Sequence, residues 1–231
     1  MKRFVVLLAL FILTGCMNKE KSVDFVFDDT GLVISSKNDC VCIDSYRTKE
    51  EADILVLTRY PENVADLEAF LQEAEVDKLY LPPAVDPVRY DNVLLAAADS
   101  EVQVFALQGD TQISEGAITL QLHPAGTVPD GSPTLWVKVR CKDKTAVYLA
   151  ENEANLQEII KNTANTCDIL KMPGGAYSED LQSITRLLTP RQVVFCSGME
   201  NMPDNRLLAA LEETGCDVYK TAGKTAVFSA K

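Results

Sequence analysis

Asp53-Ile54-Leu55-Val56-Leu57-Thr58-Arg59-Tyr60-Pro61-Glu62-Asn63-Val64 decides the fold of this chain, because a short apolar run passes through a polar turn into a stretch of helical spacing. Residues 54–57 read as a strand, being few, apolar and bounded by turn residues. A helix fits 64–74, where Val64, Leu67, Phe70, Leu71 and Ala74 recur on one face, and a further apolar run follows at 78–81. Working outward, the same alternation recurs. Strands are predicted at 23–27, 32–36, 40–44 and 102–106, then at 117–122, 134–139, 146–149, 169–171, 193–196, 217–219 and 226–229. Helices are predicted at 87–98, 152–161, 180–188 and 203–214. Asp86 can cap the helix that opens with Pro87, and Gly215 can close the one that ends before it. Two meanders, each followed by an alternating stretch, predict two sheets with helices outside, an α/β layered architecture. Residues 124–133, with three prolines and two glycines, read as a long loop within one domain.

Composition narrows the chemistry. The 231 residues are 47% hydrophobic, which excludes a disordered or low-complexity chain. Lys and Arg number 22 against 34 Asp and Glu, a net charge of -12, and no basic run interrupts it, so nucleic acid is a disfavoured partner. The single histidine, His123, precedes a proline at a strand end and reads as structural; it leaves any site built from several imidazoles without ligands.

The N-terminus begins Met1-Lys2-Arg3, continues in an apolar run over 4–13 and ends in Leu13-Thr14-Gly15-Cys16. The pattern is that of a secretory signal, and its end resembles a bacterial lipobox. The resemblance implies a diacylated Cys16 as the first mature residue and membrane anchor, with 1–15 removed, 16–22 a short tether and 23–231 the folded domain. Six further cysteines, Cys40, Cys42, Cys141, Cys167, Cys196 and Cys216, leave open buried thiols and one or two bridges. Cys40 and Cys42, two apart in a strand, share a face but are awkwardly placed to bond to each other.

The order of landmarks resembles the metallo-β-lactamase fold, and within it the extracytoplasmic C-terminal domain of ComEC-type competence proteins. The residues that carry the likeness are Cys42-Ile43-Asp44, Asp53 to Thr58, Leu67 to Leu71, Leu79-Tyr80-Leu81-Pro82-Pro83, Leu122-His123-Pro124, Ala146-Val147-Tyr148-Leu149, Cys167 to Pro173, Val193 to Gly198 and Gly215 to Tyr219. It spans about residues 23–229 and implies a four-layer αβ/βα sandwich with a dinuclear metal site at one edge of the sheets.

At the metal-binding motifs the chain departs from that family. Arg59-Tyr60-Pro61-Glu62-Asn63-Val64 stands where an H-x-x-x-D-H run is expected, Asn152 where a bridging Asp is, and Pro173-Gly174-Gly175-Ala176-Tyr177 where a Pro-His-His turn is. The early turn is shortened to Asp28-Asp29-Thr30-Gly31, and Asn201-Met202-Pro203 replaces a late Gly-His-Pro. Asp28, Asp29 and Asp44 can gather a Ca²⁺ only if the fold brings them together. The expectation is therefore a lipid-anchored lipoprotein whose domain is non-catalytic, takes no cofactor or metal, and binds an unidentified protein or small molecule. Its vestigial cleft would be lined by Arg59, Tyr60, Glu62, Asn63, Asn152, Gly174 and Gly175. The competing expectation is a metal-dependent nuclease or phosphodiesterase linked to DNA uptake, with a site rebuilt from Glu62, Asn152, Asp44 and Cys42.

Overall fold

The computed structural model describes residues 22–47, 51–127, 131–150, 167–173, 179–196 and 203–230. The first sheet holds β1 (Val23–Phe27), β2 (Leu32–Ser35), β3 (Cys40–Ile43), β4 (Glu51–Val56), β5 (Glu75–Leu81) and β6 (Gln103–Ala106). The second holds β7 (Thr111–Glu115), β8 (Ile118–Thr127), β9 (Pro133–Cys141), β10 (Lys144–Leu149), β11 (Ile169–Met172), β12 (Gln192–Phe195) and β13 (Asp217–Lys220). The last strand, β14 (Ala226–Ala230), returns to the first sheet, so the strand orders are β14-β1-β2-β3-β4-β5-β6 and β13-β12-β11-β10-β9-β8-β7. Strands β3 to β6 run parallel, as do β10 to β13, and the remaining pairs are antiparallel.

The period of two along each strand sorts side chains into three cores. Ile54 and Val56 meet Phe25, Ile34, Val137, Ala146 and Val194 between the sheets. Leu55 and Leu57 face the other way, under α1 (Ala65–Glu73) and α2 (Pro87–Ala96), with Leu67, Phe70, Leu71 and Val93. On the second sheet Leu149, Leu170, Met172 and Phe195 lie under α3 (Glu179–Leu188) and α4 (Asn205–Glu212), against Ile184, Leu188, Leu207 and Leu211. Helix, sheet, sheet, helix is the αβ/βα sandwich that the order of elements predicts.

Asp86 caps α2 as expected, its carboxylate accepting from the N–H groups of Val88 and Arg89. Four details differ from the sequence reading. Strand β7 is additional: Thr-Gln-Ile-Ser-Glu lies at a sheet edge and carries one apolar residue, too little for a periodic signal. The stretch from 124 to 133 is not all loop, because β8 continues to Thr127 through a bulge at Pro124 and β9 starts at Pro133. Pro124 is tolerated there because β7 pairs with β8 only as far as Leu122, so a missing N–H on that side leaves no ladder bond unmade. Helix α4 begins after Asp204, which accepts from Arg206 N, rather than at Pro203, and α2 stops at Ala96, two residues short of its predicted end. The predicted helix over 152–161 lies outside the described residues.

Candidate functional site

The eight strands of the two parallel runs, β3–β6 and β10–β13, end at one pole, and the two sheets are joined there. Leu135 N donates to Thr58 O at 2.7 Å, and Arg59 forms an isolated antiparallel bridge with Thr134. Crevices beyond the carboxyl ends of such strands are where open α/β sheets place ligands. The inward-facing residues of that mouth are Asp28, Asp44, Thr58, Tyr148, Lys171 and Cys196.

Asp28 follows β1 and is 2% exposed. Its Oδ1 accepts from Thr30 N at 2.8 Å, Thr30 Oγ1 at 2.6 Å and Gly31 N at 3.0 Å, while Oδ2 accepts from Ser45 Oγ at 3.2 Å and lies 3.5 Å from Arg47 Nε. The tight turn needs a glycine at Gly31, since a Cβ there would meet the Ile43 carbonyl oxygen at 2.1 Å. Asp44 follows β3 with a φ of 54°, a left-handed conformation that Asp tolerates. That turn aims its carboxylate at the end of β4, where Oδ1 accepts from Thr58 N at 2.7 Å and Oδ2 from the Thr58 hydroxyl. Burial pushes the Tyr148 phenol well above its ordinary value, and the negative charge of Asp44 adds to the effect.

Lys171 interrupts the otherwise apolar β11 and is 5% exposed. Leu170 and Met172 point to the helices, so Lys171 points between the sheets. Its ammonium donates to Leu149 O at 2.9 Å, lies 3.5 Å from Ala150 O, and sits 4.4 Å from the centre of the Tyr148 ring, a cation–π contact. Cys196 directly follows β12 and donates to Gly31 O at 3.7 Å. Burial pushes its thiol up to about 12; Lys171 opposes that shift, and the carboxylates of Asp28, Asp29 and Asp44 reinforce it. A thiol held protonated in this way is a poor nucleophile and a poor ligand near neutral pH.

The residues singled out from the sequence fall in several places. Arg59 is exposed at the mouth. Tyr60 turns away into the helix-side core with Leu67 and Phe70, where it is 2% exposed and donates to Pro82 O at 3.1 Å; burial pushes its phenol up to about 12. Glu62 and Asn63 stand exposed on the turn before α1, and Asn63 Oδ1 accepts from Ala65 N at 3.1 Å. Cys42 is fully buried on the helix side of β3, facing away from Asp44, and its thiol is pushed up by its hydrogen bond with Cys40 and by burial. Glu62, Asp44 and Cys42 are therefore not brought together. Cys16, Asn152, Gly174 and Gly175 lie outside the described residues. Asp29 does not join Asp28 and Asp44; its two oxygens accept from Gly223 N at 3.0 and 2.8 Å.

His123 faces away from this chemistry. It lies on the helix side of β8, stacked on Trp136 at 4.0 Å between ring centres and 7° between planes, with Nδ1 3.1 Å from Asp110 Oδ1. The described cysteines, six in number, are all free thiols. Among the described residues no group of three or more His, Cys, Asp or Glu is placed to hold a metal ion. The two mouth carboxylates accept from internal donors, so the described residues do not fit a dinuclear metal centre. Sequence reasoning missed Lys171 and Tyr148; the signal was a lysine inside a four-residue apolar strand, since a buried charge requires a partner.

No family model matches this sequence, and no curated protein does. Solved structures match it over nearly all its length. The metallo-β-lactamase fold protein YhfI from Bacillus subtilis is 12% identical, with 91% of this chain and 100% of that one covered at a TM-score of 0.66. A diphosphatase from the PhnP family is 10% identical over 91% and 98% at 0.60, and the short form of human tRNase Z is 9% identical over 90% and 99% at 0.56. At these identities the likeness establishes the fold alone, and that fold is the metallo-β-lactamase αβ/βα sandwich.

Proposed function

We propose that this protein is a lipid-anchored extracytoplasmic lipoprotein whose metallo-β-lactamase-like domain, related to the ComEC type, is non-catalytic and serves as a binding or scaffold module. The observation that carries the reading is the state of the mouth carboxylates: Asp28 and Asp44 are engaged by Thr30, Gly31, Ser45 and Thr58, and the chain's one imidazole is stacked on Trp136. A water-activating metal pair requires ligands with free lone pairs converging on one point. Anchoring rests on Cys16 and the apolar run before it; with Lys2 and Arg3 removed the mature chain is more acidic still, so the acyl chains supply the tether against an anionic membrane surface.

The test is the metal content of the full-length protein, purified in detergent without chelator and then dialysed against Zn²⁺ or Mn²⁺, alongside hydrolysis of a phosphodiester chromogen. Near-zero stoichiometry with no turnover is expected. One or two tightly held metals with turnover abolished by Glu62→Ala or Asp44→Ala would establish the hydrolase instead. Replacing Cys16 by Ala is expected to release the protein from the membrane fraction, and retention there would remove the lipid anchor from the reading.

A further inference from the structure

The outermost strand of the first sheet, β6, has no strand partner on its outer side among the described residues. It runs parallel to β5 with Phe105 opposite Tyr80, and Leu107 N donates to Leu81 O at 3.1 Å. Backbone groups alternate in direction along a strand, so Phe105 shares the β5 side with Leu107, and the N–H and C=O groups of Val104 and Ala106 point outward. Proteins guard such edges with charge, proline or a bulge. Gln103-Val104-Phe105-Ala106 has no charge and no proline, and its pairing with β5 is unbroken. Beside this edge lies α2, which carries apolar residues on its exposed side as well as its buried one. Val93 and Ala96 are buried, while Val85 just before the helix, Val88, Leu94 and Leu95 are 63, 69, 38 and 73% exposed, and Phe105 on β6 is 39% exposed. A helix apolar on opposite sides belongs in an interior. Five such side chains on one flank make a patch on the order of 300–600 Å², and the strand edge and polar rim bring it toward the roughly 800 Å² per partner that a stable dimer buries.

We infer that this flank is the interface of a symmetric homodimer, in which β6 pairs antiparallel with β6 of a second copy about a two-fold axis at Phe105. In that register Val104 of one chain lies opposite Ala106 of the other, and each such pair exchanges both N–H···O=C bonds, so every outward-pointing group of those two residues is satisfied. The two copies of Phe105 face each other as a non-hydrogen-bonded pair with Cα atoms ~4.5 Å apart, beside the Tyr80 ring that already stacks on Phe105 at 5.1 Å. As the crossover helix between β5 and β6, α2 lies over that pair of strands. With strands ~4.8 Å apart, the two α2 axes then come within about 10 Å, the spacing of packed helices. A second copy therefore covers strand edge and helix together, whereas an extended peptide covers the edge alone. An anionic bilayer is a poor cover as well, since Asp86, Asp91 and Asp99 outnumber Arg89 along α2. The dimer does not depend on whether the mouth is catalytic.

The experiment is sedimentation velocity on the full-length protein in density-matched detergent, across a concentration series. The wild type is expected at twice the mass of one chain. Leu95→Glu, at a position exposed in the single chain, and Ala106→Pro, which removes an outward N–H and no bond to β5, are each expected to return it to the mass of one chain. Val227→Glu, 55% exposed on β14 at the opposite edge of the sheet, is expected to leave the dimer intact. Register is read separately in native membranes, where Phe105→Cys is expected to give a reducible dimer on mild oxidation and Val227→Cys is not. A wild type of single-chain mass, which would hand the flank to the bilayer or to another protein, overturns the inference. So does a dimer that survives L95E or A106P, as one held by acyl chains or by the apolar run over 4–13 would, and so does F105C that fails to cross-link.

Discussion

Gly31→Ala tests how the mouth is held together. A Cβ at Gly31 would lie 2.1 Å from the Ile43 carbonyl oxygen, 2.7 Å from the Asp44 carbonyl carbon and 2.9 Å from Ser45 N. All three are backbone atoms, so no side chain can rotate aside. Against ordinary contact at 3.4 Å the shortest approach falls short by about 1.3 Å, and the end of β3 must move by about that much. That end is bonded on both flanks, to β2 through Leu32 and Ile43 and to β4 through Asp44 N and Val56 O at 2.9 Å. Overpacking of this kind costs about 1–3 kcal/mol, and loosening two ladder bonds adds roughly 1 kcal/mol each. A loss of about 3–5 kcal/mol, or roughly 6–20 °C in midpoint for a domain of this size, is expected. Gly109→Ala is the matched control, since nothing lies within 4 Å of its Cβ position. Urea unfolding of both variants gives the comparison directly. A G31A stability within about 0.5 kcal/mol of G109A would refute the packing argument, because that is the ordinary scatter for surface substitutions.

Acid sensitivity offers a second check. The hydroxyl of Thr221 and the N–H of Gly223 hold the Asp29 carboxyl below its ordinary value, so the native state binds that proton less readily than the unfolded chain. The resulting stability is present above the ordinary carboxylate range and is lost as pH falls through the native value; Asp29→Asn is therefore expected to flatten stability against pH between about 5 and 2. Asp86→Ala removes the acceptor for Val88 N and Arg89 N and should cost about 1 kcal/mol in urea unfolding, with an unchanged midpoint excluding the cap. The single tryptophan, Trp136, reports on its stacking partner: in His123→Ala water reaches the uncovered ring, so emission should shift to longer wavelength, and an unshifted spectrum would contradict the 4.0 Å stack.

Most of the fold was legible because buried strands write themselves as apolar runs. Ile54, Leu55, Val56 and Leu57 face two cores alternately, and no polar residue is admitted on either face. Edge strands carry no such obligation, which is why Thr111–Glu115 left no readable signal. The mouth was harder to read for a different reason. Arg59 and Tyr60 are neighbours in sequence, yet one is exposed and the other 2% exposed under α1, a choice made by the tertiary contact with Pro82 rather than by any local pattern. Asp28 and Asp44 looked like possible cation ligands until their donors were visible. Those donors come from two, three and 17 residues onward for Asp28 and from 14 residues onward for Asp44, the last two separations beyond what spacing conveys.

The pairing of Val23 with Ala230 gives the molecule a direction. The first strand enters and the last strand leaves side by side at one pole, and β1 climbs from there to Asp28 at the other. The seven residues from Cys16 to Ser22 span at most about 25 Å when extended. A lipid on Cys16 would thus moor the sandwich by its base and keep the mouth facing outward, away from the bilayer. A ligand diffusing in from outside would meet Arg59 first, and a fusion added after Ala230 would crowd the membrane rather than the mouth.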